Sequence, residues 1–242
     1  MFDHVTIRVS DRAASERFYD LVLPTIGTEK THSDEHFPEW DDFSLAQATD
    51  ENPATRRLHI GFAAPSREHV DEFWRTGVDA GYPEDGAPGL RPQYRHDYYG
   101  GFLLDPDGNS AEAVHMSLDR EGIDHVWIRV ADVDASRRFY ELVAEYAGYH
   151  LRGVNDDPRR VQFASDGGSF SVVAGDYVTE PFHMAFPADD NATVDAFHRA
   201  ALEAGYRDYG TPGERPIYHE GYYGAYVLDP DGNNVELVNH NR

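Results

Sequence analysis

The strongest constraint on the fold of this chain is an internal repeat. The segment DHVTIRV at residues 3–9 returns as DHVWIRV at 124–130, and YYGGFLLDPDGNSAEAV at 98–114 returns as YYGAYVLDPDGNNVELV at 222–238. GAPGLRPQY at 86–94 likewise returns as GTPGERPIY at 210–218. Repeats of this length mark one folding unit that occurs twice. We therefore predict two modules, 1–118 and 122–242, joined by the short polar segment 117–122.

A finer repeat lies inside each half. Val5, Ile7 and Val9 alternate with polar residues, which is the pattern of a half-buried strand. Four times a histidine of such a strand is followed fourteen residues later by a phenylalanine of a predicted helix: His4 and Phe18, His59 and Phe73, His125 and Phe139, His183 and Phe197. The pattern predicts an α+β fold of four βαβββ units, two in each module.

Capping and turn residues support this order of elements. The turn sequence Asp-Pro-Asp-Gly-Asn, at 105–109 and 229–233, predicts a tight turn between the last two strands of each module. Glycines stand where the second and fourth helices should end, at Gly81 and Gly205. The candidate N-terminal caps of the four helices are Ser10 or Asp11, Ser66, Asp132, and Asp189 or Asp190.

The composition excludes several classes of site and partner. The chain has no cysteine, so disulfides, thiolate metal sites and cysteine nucleophiles are excluded. A net charge of -23 should repel nucleic acid and anionic membranes. There is no apolar run near the roughly 18 residues of a membrane span, and the N-terminus lacks a signal-peptide pattern. We expect a cytoplasmic protein with a small-molecule partner, and a homodimer is one form it could take.

The acid excess is accompanied by a loss of lysine. The chain has 44 acidic residues against 21 basic ones, and Lys30 is its one lysine. In molar salt the screening length is only about 3 Å, so the self-repulsion of such a chain costs little. This pattern predicts adaptation to high salt, and the alternative is an ordinary soluble acidic protein.

Residues of the kind that bind metals recur with the repeat. Glu112 follows His59 by fifty-three residues, and Glu236 follows His183 by the same number. The apolar neighbours of each glutamate should point towards the helices, so the glutamate should point to the opposite face of the sheet. Two histidines and one carboxylate leave coordination positions open, as non-heme Fe(II) chemistry needs, and Zn, Mn or Ni can also bind such a set. The predicted ligands are His4, His59 and Glu112 in one half, and His125, His183 and Glu236 in the other.

These residues and their order resemble the vicinal-oxygen-chelate superfamily, which includes glyoxalase I, extradiol dioxygenases and bleomycin resistance proteins. The resemblance covers nearly the whole chain. It implies two glyoxalase-like modules with cup-shaped mixed sheets, in which the six residues above bind a divalent metal, with Fe(II) favoured. Because this family exchanges units between modules or subunits, it stays open whether each triad closes within its own half.

The second half nearly matches the signature that extradiol dioxygenases carry around their last metal ligand. His219 and Tyr226 precede the Asp-Pro-Asp-Gly of 229–232 at a similar spacing. The resemblance implies that His219 is an acid or base near bound oxygen and that Tyr226 hydrogen-bonds a metal-bound phenolate. The alternative for His219 is an ordinary loop residue. The first half offers His96 for this catalytic role but has Phe102 in place of the tyrosine.

Five further residues are candidates for substrate contacts. Arg8 and Arg129 alternate onto the ligand face of their strands, where they could hold an anionic substrate or pair with neighbouring acids. Trp127, Tyr99 and Tyr223 could line a pocket for a flat or apolar ligand, or pack within the core.

The leading functional prediction is a metal-dependent enzyme whose substrate chelates through adjacent oxygens, leaning towards extradiol-type ring cleavage. A glyoxalase-type lyase or isomerase is the first alternative. Glyoxalase I commonly takes a further carboxylate from the strand that corresponds to residues 43–46, which hold no acid, although Glu39, Asp41 and Asp42 lie nearby. This favours a three-ligand centre. The second alternative is a non-catalytic, resistance-type binding protein, a class that generally lacks the ligands.

Overall fold

The computed structural model describes residues 1–118 and 120–242. Asp119, which belongs to the predicted join, lies outside the described residues. Along the described chain the order of one strand, one helix and three strands occurs four times. The predicted α+β fold of four βαβββ units is thereby confirmed.

The first half contains two of these repeats. The first repeat comprises β1 (His4–Val9), α1 (Arg12–Val22), β2 (His32–Ser33), β3 (Pro38–Trp40) and β4 (Phe43–Gln47). The second comprises β5 (His59–Ala63), α2 (Arg67–Asp79), β6 (Glu84–Leu90), β7 (Tyr99–Leu104) and β8 (Ser110–His115).

The second half contains the other two repeats. The third comprises β9 (Ile123–Val130), α3 (Val133–Ala147), β10 (His150–Asp156), β11 (Arg159–Ser165) and β12 (Gly168–Ala174). The fourth comprises β13 (His183–Pro187), α4 (Asn191–Glu203), β14 (Arg207–Glu214), β15 (Tyr223–Leu228) and β16 (Asn234–Asn239).

The described strands form two eight-stranded sheets. One has the order β14-β15-β16-β13-β1-β4-β3-β2, and the other has the order β10-β11-β12-β9-β5-β8-β7-β6. In each sheet the first and last strands of one repeat pair in parallel, β13 with β16 and β5 with β8. The neighbouring pairs β15 with β16 and β7 with β8 are antiparallel, so both sheets are mixed.

The chain divides into two compact units whose boundaries cut through β1 and β9. The C-terminal unit contains Met1–Val5 together with Ile128–Arg242, and the N-terminal unit contains Thr6–Trp127. His4 therefore belongs to the C-terminal unit, and His125 belongs to the N-terminal unit. The modules 1–118 and 122–242 stay a prediction from the sequence repeat.

Three of the helices begin at an aspartate. The side chains of Asp11, Asp132 and Asp190 each accept backbone N–H groups from the first turn of α1, α3 and α4. Ser66 precedes α2, but its hydroxyl donates to Glu68 Oε2 at 2.6 Å, and the predicted capping bond is not among its contacts.

The helices pack on one face of the sheets and leave the other face for the ligand-type residues. The four phenylalanines of the short repeat, which lie on the helices, are all fully buried. In β8, Ala111 and Ala113 are buried on either side of Glu112, as the alternation of a strand requires. Among the helices of the described ranges, none is long and apolar enough to cross a membrane.

Candidate metal centres

The first cluster lies in the N-terminal unit and is built on β5. Gly61 of β5 pairs with Glu112 of β8 on one side and with His125 of β9 on the other, and His59 lies two residues before it. The Nε2 atom of His59 is 3.0 Å from Glu112 Oε2 and 3.0 Å from His125 Nε2. His125 Nε2 is in turn 3.2 Å from Glu112 Oε2. Two imidazole nitrogens and one carboxylate oxygen thus meet at one point.

The second cluster repeats this arrangement in the C-terminal unit. Ala185 of β13 pairs with Glu236 of β16 and accepts the backbone N–H of Asp3, which precedes His4. The Nε2 atoms of His4 and His183 are 3.0 Å apart. Glu236 Oε2 lies 3.0 Å from His183 Nε2 and 3.8 Å from His4 Nε2.

The grouping of the ligands differs from their grouping along the sequence. The structure brings His4 together with His183 and Glu236, and His125 together with His59 and Glu112. All six predicted ligands occur in the two clusters, but the first histidine of each half joins the cluster of the other half. The cause is the position of β1 and β9, whose first residues belong to different compact units from the rest of their repeats.

The donor atoms fit a divalent metal. In each cluster the three ligand atoms lie within 4.8 Å of one another. Bonds of about 2.1 Å at right angles would place neighbouring ligand atoms about 3.0 Å apart, and a tetrahedral arrangement would place them about 3.4 Å apart. The separations are 3.0, 3.0 and 3.2 Å in the N-terminal cluster and 3.0, 3.0 and 3.8 Å in the C-terminal cluster, so one ion could be held by all three atoms of either. Such a set would leave coordination positions open for substrate.

A carboxylate hydrogen-bonds one histidine of each cluster, the histidine at the start of β1 or in β9. Asp3 Oδ1 lies 2.8 Å from His4 Nδ1, and Asp124 Oδ1 lies 2.9 Å from His125 Nδ1. A bond at Nδ1 directs Nε2 towards the cluster and makes the ring a stronger ligand. Sequence reasoning missed both aspartates, although the Asp-His dipeptide recurs at 3–4 and 124–125.

A tyrosine fixes the glutamate of each cluster. Tyr98 donates its hydroxyl to Glu112 Oε1 at 2.7 Å, and Tyr222 donates to Glu236 Oε1 at 2.8 Å. The other carboxylate oxygen, Oε2, is the one that faces the imidazoles. Sequence reasoning missed this role of both tyrosines, although the recurring Tyr-Tyr-Gly at 98–100 and 222–224 was an available signal.

Charge within the N-terminal cluster is balanced by a proton. Burial opposes protonation of His125, but its hydrogen bonds to Asp124 and Glu112 prevail and raise the pKa of His125 to about 10. Burial likewise opposes ionisation of Glu112, yet the two imidazoles lower its pKa. Without a metal, the cluster therefore holds a carboxylate and an imidazolium, and the metal would replace the proton.

The predicted catalytic histidine His219 reaches the C-terminal cluster only indirectly. Its Nε2 lies 2.8 Å from His240 Nδ1, and His240 Nε2 lies 2.7 Å from Asp3 Oδ2. Asp3 in turn holds His4, so a chain of hydrogen bonds runs from His219 to a ligand. In the N-terminal cluster, Asp124 is instead held by the guanidinium of Arg120 at 2.7 Å.

His96 is the third predicted catalytic residue, and its side chain is exposed. Its side chain is 87% exposed, and its Nδ1 is 3.8 Å from Asp97 Oδ1. Glu112 and Glu236 are 124 positions apart (236 − 112), and the same offset from His219 leads to Arg95, not His96. The catalytic role of His96 stays a prediction, and the repeat places Arg95 at the position that matches His219.

Tyr226 lies beside the C-terminal cluster. Its ring centroid is 6.1 Å from that of His183. Burial and the nearby Glu236 carboxylate raise the pKa of Tyr226 far above its usual value. The hydroxyl is therefore a hydrogen-bond donor throughout the physiological pH range.

The candidate substrate residues are divided between the two faces of the sheets. Trp127 lies beside the N-terminal cluster, with its ring 6.0 Å from the His59 ring. Tyr99 and Tyr223 lie on the opposite, helix-facing side, where their hydroxyls donate to Asp71 and Asp195 at 2.7 Å. Their predicted substrate role is corrected, because neighbouring residues of a strand face opposite sides.

The two arginine candidates remain predictions. The backbone N–H of Arg8 donates to Thr55 Oγ1, and that of Arg129 donates to Thr179 Oγ1. Both hydrogen bonds involve the backbone of the strand, so they say nothing about the substrate role of the guanidinium groups.

The acids near residues 43–46 supply no fourth ligand in the part of the chain that the structure describes. Asp42 accepts the backbone N–H of Ile123 at 2.9 Å, and burial raises its pKa to about 6. Each described cluster contains three ligand-type side chains. Asp42 thus fixes the start of β9, and the three-ligand arrangement agrees with the sequence prediction.

Comparison with known proteins identifies the family and the fold. The model of the Glyoxalase/Bleomycin resistance protein/Dioxygenase superfamily matches residues 1–113 and 122–237. A mutant glyoxalase I from Zea mays is 20% identical with a TM-score of 0.72, over 99% of this chain and 92% of that chain. A putative dioxygenase from Bacillus subtilis is 13% identical with a TM-score of 0.69, over 100% of this chain and 85% of that chain. At these identities the likeness shows the fold alone. No curated protein matches the chain.

Proposed function

The chain belongs to the glyoxalase/bleomycin resistance protein/dioxygenase superfamily, and we propose on this basis that it is a metal-dependent enzyme acting on a small substrate with two adjacent oxygens. The observation that carries the proposal is the convergence of two imidazoles and one carboxylate in each compact unit. A divalent metal held there would supply a Lewis acid and a template for the substrate oxygens.

Within this class we favour extradiol-type ring cleavage with Fe(II) in the C-terminal unit. The support is the three-ligand set, His4, His183 and Glu236, together with Tyr226 beside it. Tyr226 keeps its proton at neutral pH, so its hydroxyl can donate a hydrogen bond to a phenolic oxygen of the substrate. The N-terminal centre has Phe102 at this place, with its ring 6.0 Å from the His59 ring. It therefore lacks this donor.

The other residues around the C-terminal centre hold its geometry. Asp3 and Tyr222 orient His4 and Glu236 through hydrogen bonds of 2.8 Å each. His219 and His240 continue the chain behind Asp3. We expect His219 to be a positioning residue that acts through Asp3 and His4, which revises the acid or base role implied by the resemblance.

A glyoxalase-type lyase or isomerase is the second candidate. It is supported by the presence of two like centres in one chain and by the fold shared with glyoxalase I over nearly the whole chain. In such a reaction both centres would be active, since proton transfer between adjacent carbons does not need Tyr226. A non-catalytic binding protein would have no use for two complete ligand sets.

Metal analysis of anaerobically purified protein, followed by assays with its native metal, tests these candidates. Bound iron and oxygen uptake on a panel of catechols is the result expected for the dioxygenase. Zinc, nickel or manganese without oxygen uptake, but with turnover of α-hydroxy ketones or hemithioacetals, would favour the lyase or isomerase. A protein that binds no metal even on titration would refute both enzymes.

Two single substitutions locate the activity. Glu236→Gln should abolish ring cleavage and Glu112→Gln should leave it, because Tyr226 lies beside the C-terminal centre and Phe102 takes its place beside the N-terminal centre. If Glu112→Gln alone abolished the activity, the assignment to the C-terminal centre would be wrong.

A further inference from the structure

A further motif recurs in both halves of the chain. Gly-x-Pro-Gly-x-Arg occurs at 86–91 and again at 210–215. Each copy runs along the end of an outer strand, β6 or β14, and its arginine directly follows that strand. The arginines are Arg91 in the N-terminal unit and Arg215 in the C-terminal unit.

Both arginines are held in the same way. The guanidinium carbon of Arg215 lies 5.5 Å from the centre of the Tyr226 ring, and that of Arg91 lies 5.3 Å from the centre of the Phe102 ring. One terminal nitrogen, Nη2, donates to the carbonyl of the second motif residue, at 2.6 Å for Thr211 and 2.7 Å for Ala87.

The glycines of the motif make room for this arrangement. A Cβ atom at Gly213 would lie 3.0 Å from Arg215 Nη1, and one at Gly210 would lie 2.7 Å from Tyr226 Cδ2. The corresponding distances at Gly89 and Gly86 are 2.9 Å to Arg91 Nη1 and 3.0 Å to Phe102 Cδ2. The strand thus lies directly against both the ring and the guanidinium, which keeps the arginine in place.

The stacked ring connects each arginine to a metal centre. Tyr226 is 6.1 Å from His183, and Phe102 is 6.0 Å from His59, between ring centroids. The same aromatic ring therefore contacts a guanidinium and lies beside an imidazole of the candidate metal centre. A small molecule bound at the centre would lie near both the ring and the arginine.

Among the described residues, these arginines form no ion pair with a carboxylate. Several other arginines pair with carboxylates, as in Arg12 with Glu16, Arg95 with Asp97 and Arg120 with Asp124. Within 1–118 and 120–242, the hydrogen bonds of Arg91 and Arg215 go to backbone carbonyls. In a chain with 44 acidic residues, two fixed cations without a carboxylate partner among the described residues favour an anionic ligand.

We propose that Arg91 and Arg215 each bind a carboxylate of the substrate, several atoms away from the two oxygens that bind the metal. This inference rests on the proposed function and names its substrate class: a small organic acid that also carries a pair of adjacent oxygens. The guanidinium offers two parallel N–H donors to a carboxylate, and the ring beneath it fixes their plane.

A pair of probes that differ only in the carboxylate tests this proposal. The full chain is loaded with Zn(II), which is redox-inert, and titrated with 3,4-dihydroxybenzoate and with catechol. The Glu112→Gln background leaves the C-terminal centre for study, and Arg215→Gln is added to it. Arg207→Gln, an exposed arginine of β14, removes the same charge elsewhere and serves as the control. Zinc stoichiometry shows that each variant retains its fold and centre.

The proposal expects dihydroxybenzoate to bind more tightly than catechol by about tenfold or more, the typical worth of a charge-assisted hydrogen bond. Arg215→Gln should abolish that preference, and Arg207→Gln should keep it. Catechol binding with no preference, or a preference that survives Arg215→Gln, would overturn the carboxylate site and leave the metal function standing. If neither probe bound the zinc-loaded protein, both the proposed function and this inference would be refuted.

Discussion

Gly61 determines the position of the His125 ring. A Cβ atom at Gly61 would lie 2.3 Å from His125 Cε1, closer than two such atoms can approach. The corresponding residue of the C-terminal unit is Ala185, which already carries a methyl group beside Glu236. The two units therefore differ at this position, which is glycine opposite Glu112 and alanine opposite Glu236.

We predict that Gly61→Ala displaces His125 and lowers the metal affinity of the N-terminal centre by about 10- to 100-fold, the range typical of misoriented ligands. The affinity is measured by zinc titration in a Glu236→Gln background, which leaves only this centre. Ala185→Gly, measured in the Glu112→Gln background, is the matched control and should change the affinity little. Equal affinities for Gly61→Ala and its parent would contradict the steric argument.

His125 also makes metal binding pH-dependent. Hydrogen bonds to Asp124 and Glu112 raise its pKa from 6.5 to about 10, although burial opposes this. A metal must displace that proton, so binding should release about one proton per ion at pH 8. The apparent affinity should then rise about tenfold per pH unit up to pH 10. Calorimetry in two buffers of different ionisation enthalpy measures the release, and heats independent of the buffer would refute the prediction.

The same shift gives the metal-free protein an opposite pH dependence. A histidine whose pKa is raised in the folded state stabilises that state fully below its unfolded pKa of 6.5. This contribution is lost as the pH rises from 6.5 through about 10. Thermal unfolding of the metal-free protein should therefore move to lower temperature over this range, and the zinc-loaded protein should show less of this effect.

At the scale of elements, β1 and β9 decide which ligands belong together. His4 stands at the start of β1 in the C-terminal unit, with β13 and β16, and His125 stands in β9 in the N-terminal unit, with β5 and β8. The hydrogen bond from the Asp3 N–H to Ala185 O anchors the first of these placements.

Metal stoichiometry in double variants tests this grouping. Glu112→Gln combined with His4→Ala should disable both centres and bind no metal tightly. Glu236→Gln combined with His4→Ala should disable only the C-terminal centre and retain one ion per chain. If the ligands were grouped by halves instead, the two results would be reversed. Elemental analysis after gel filtration measures the number of metal ions per chain in both double variants. Circular dichroism checks that each variant is folded.

At the scale of the whole molecule, the charge is the dominant property. The net charge of -23 rests on 44 acidic residues, and their mutual repulsion is screened within about 3 Å in 1 M salt. The prediction of adaptation to high salt follows from this charge and from the single lysine.

We expect the protein to lose structure on dialysis into dilute buffer, because unscreened self-repulsion then acts against the compact state. Circular dichroism at a series of KCl concentrations measures the effect, with the metal kept saturating so that loss of a centre does not mimic it. A far-ultraviolet spectrum that is unchanged between molar and millimolar salt would contradict salt adaptation.

Local pattern in the sequence was sufficient for the four repeats, for the aspartate cap of α3 and for all six residues of the two clusters. It narrowed the caps of α1 and α4 to two neighbouring residues each. These features depend on residue type and on spacing within one or two elements. Period-two alternation places Glu112 and Glu236 on the ligand face, and the repeat marks the matching histidines.

Only the tertiary structure decided how those residues combine. The partner of His4 depends on which strand lies beside β1, and a repeated sequence offers two equivalent choices that differ in long-range packing alone. The orientation of Tyr98 and Tyr222 towards the glutamates, and of Tyr99 and Tyr223 towards the helices, likewise depends on strand register, which a shift of one residue would reverse. Thus the sequence determined the set of candidate ligands in this duplicated fold, and strand pairing between distant segments determined the two clusters.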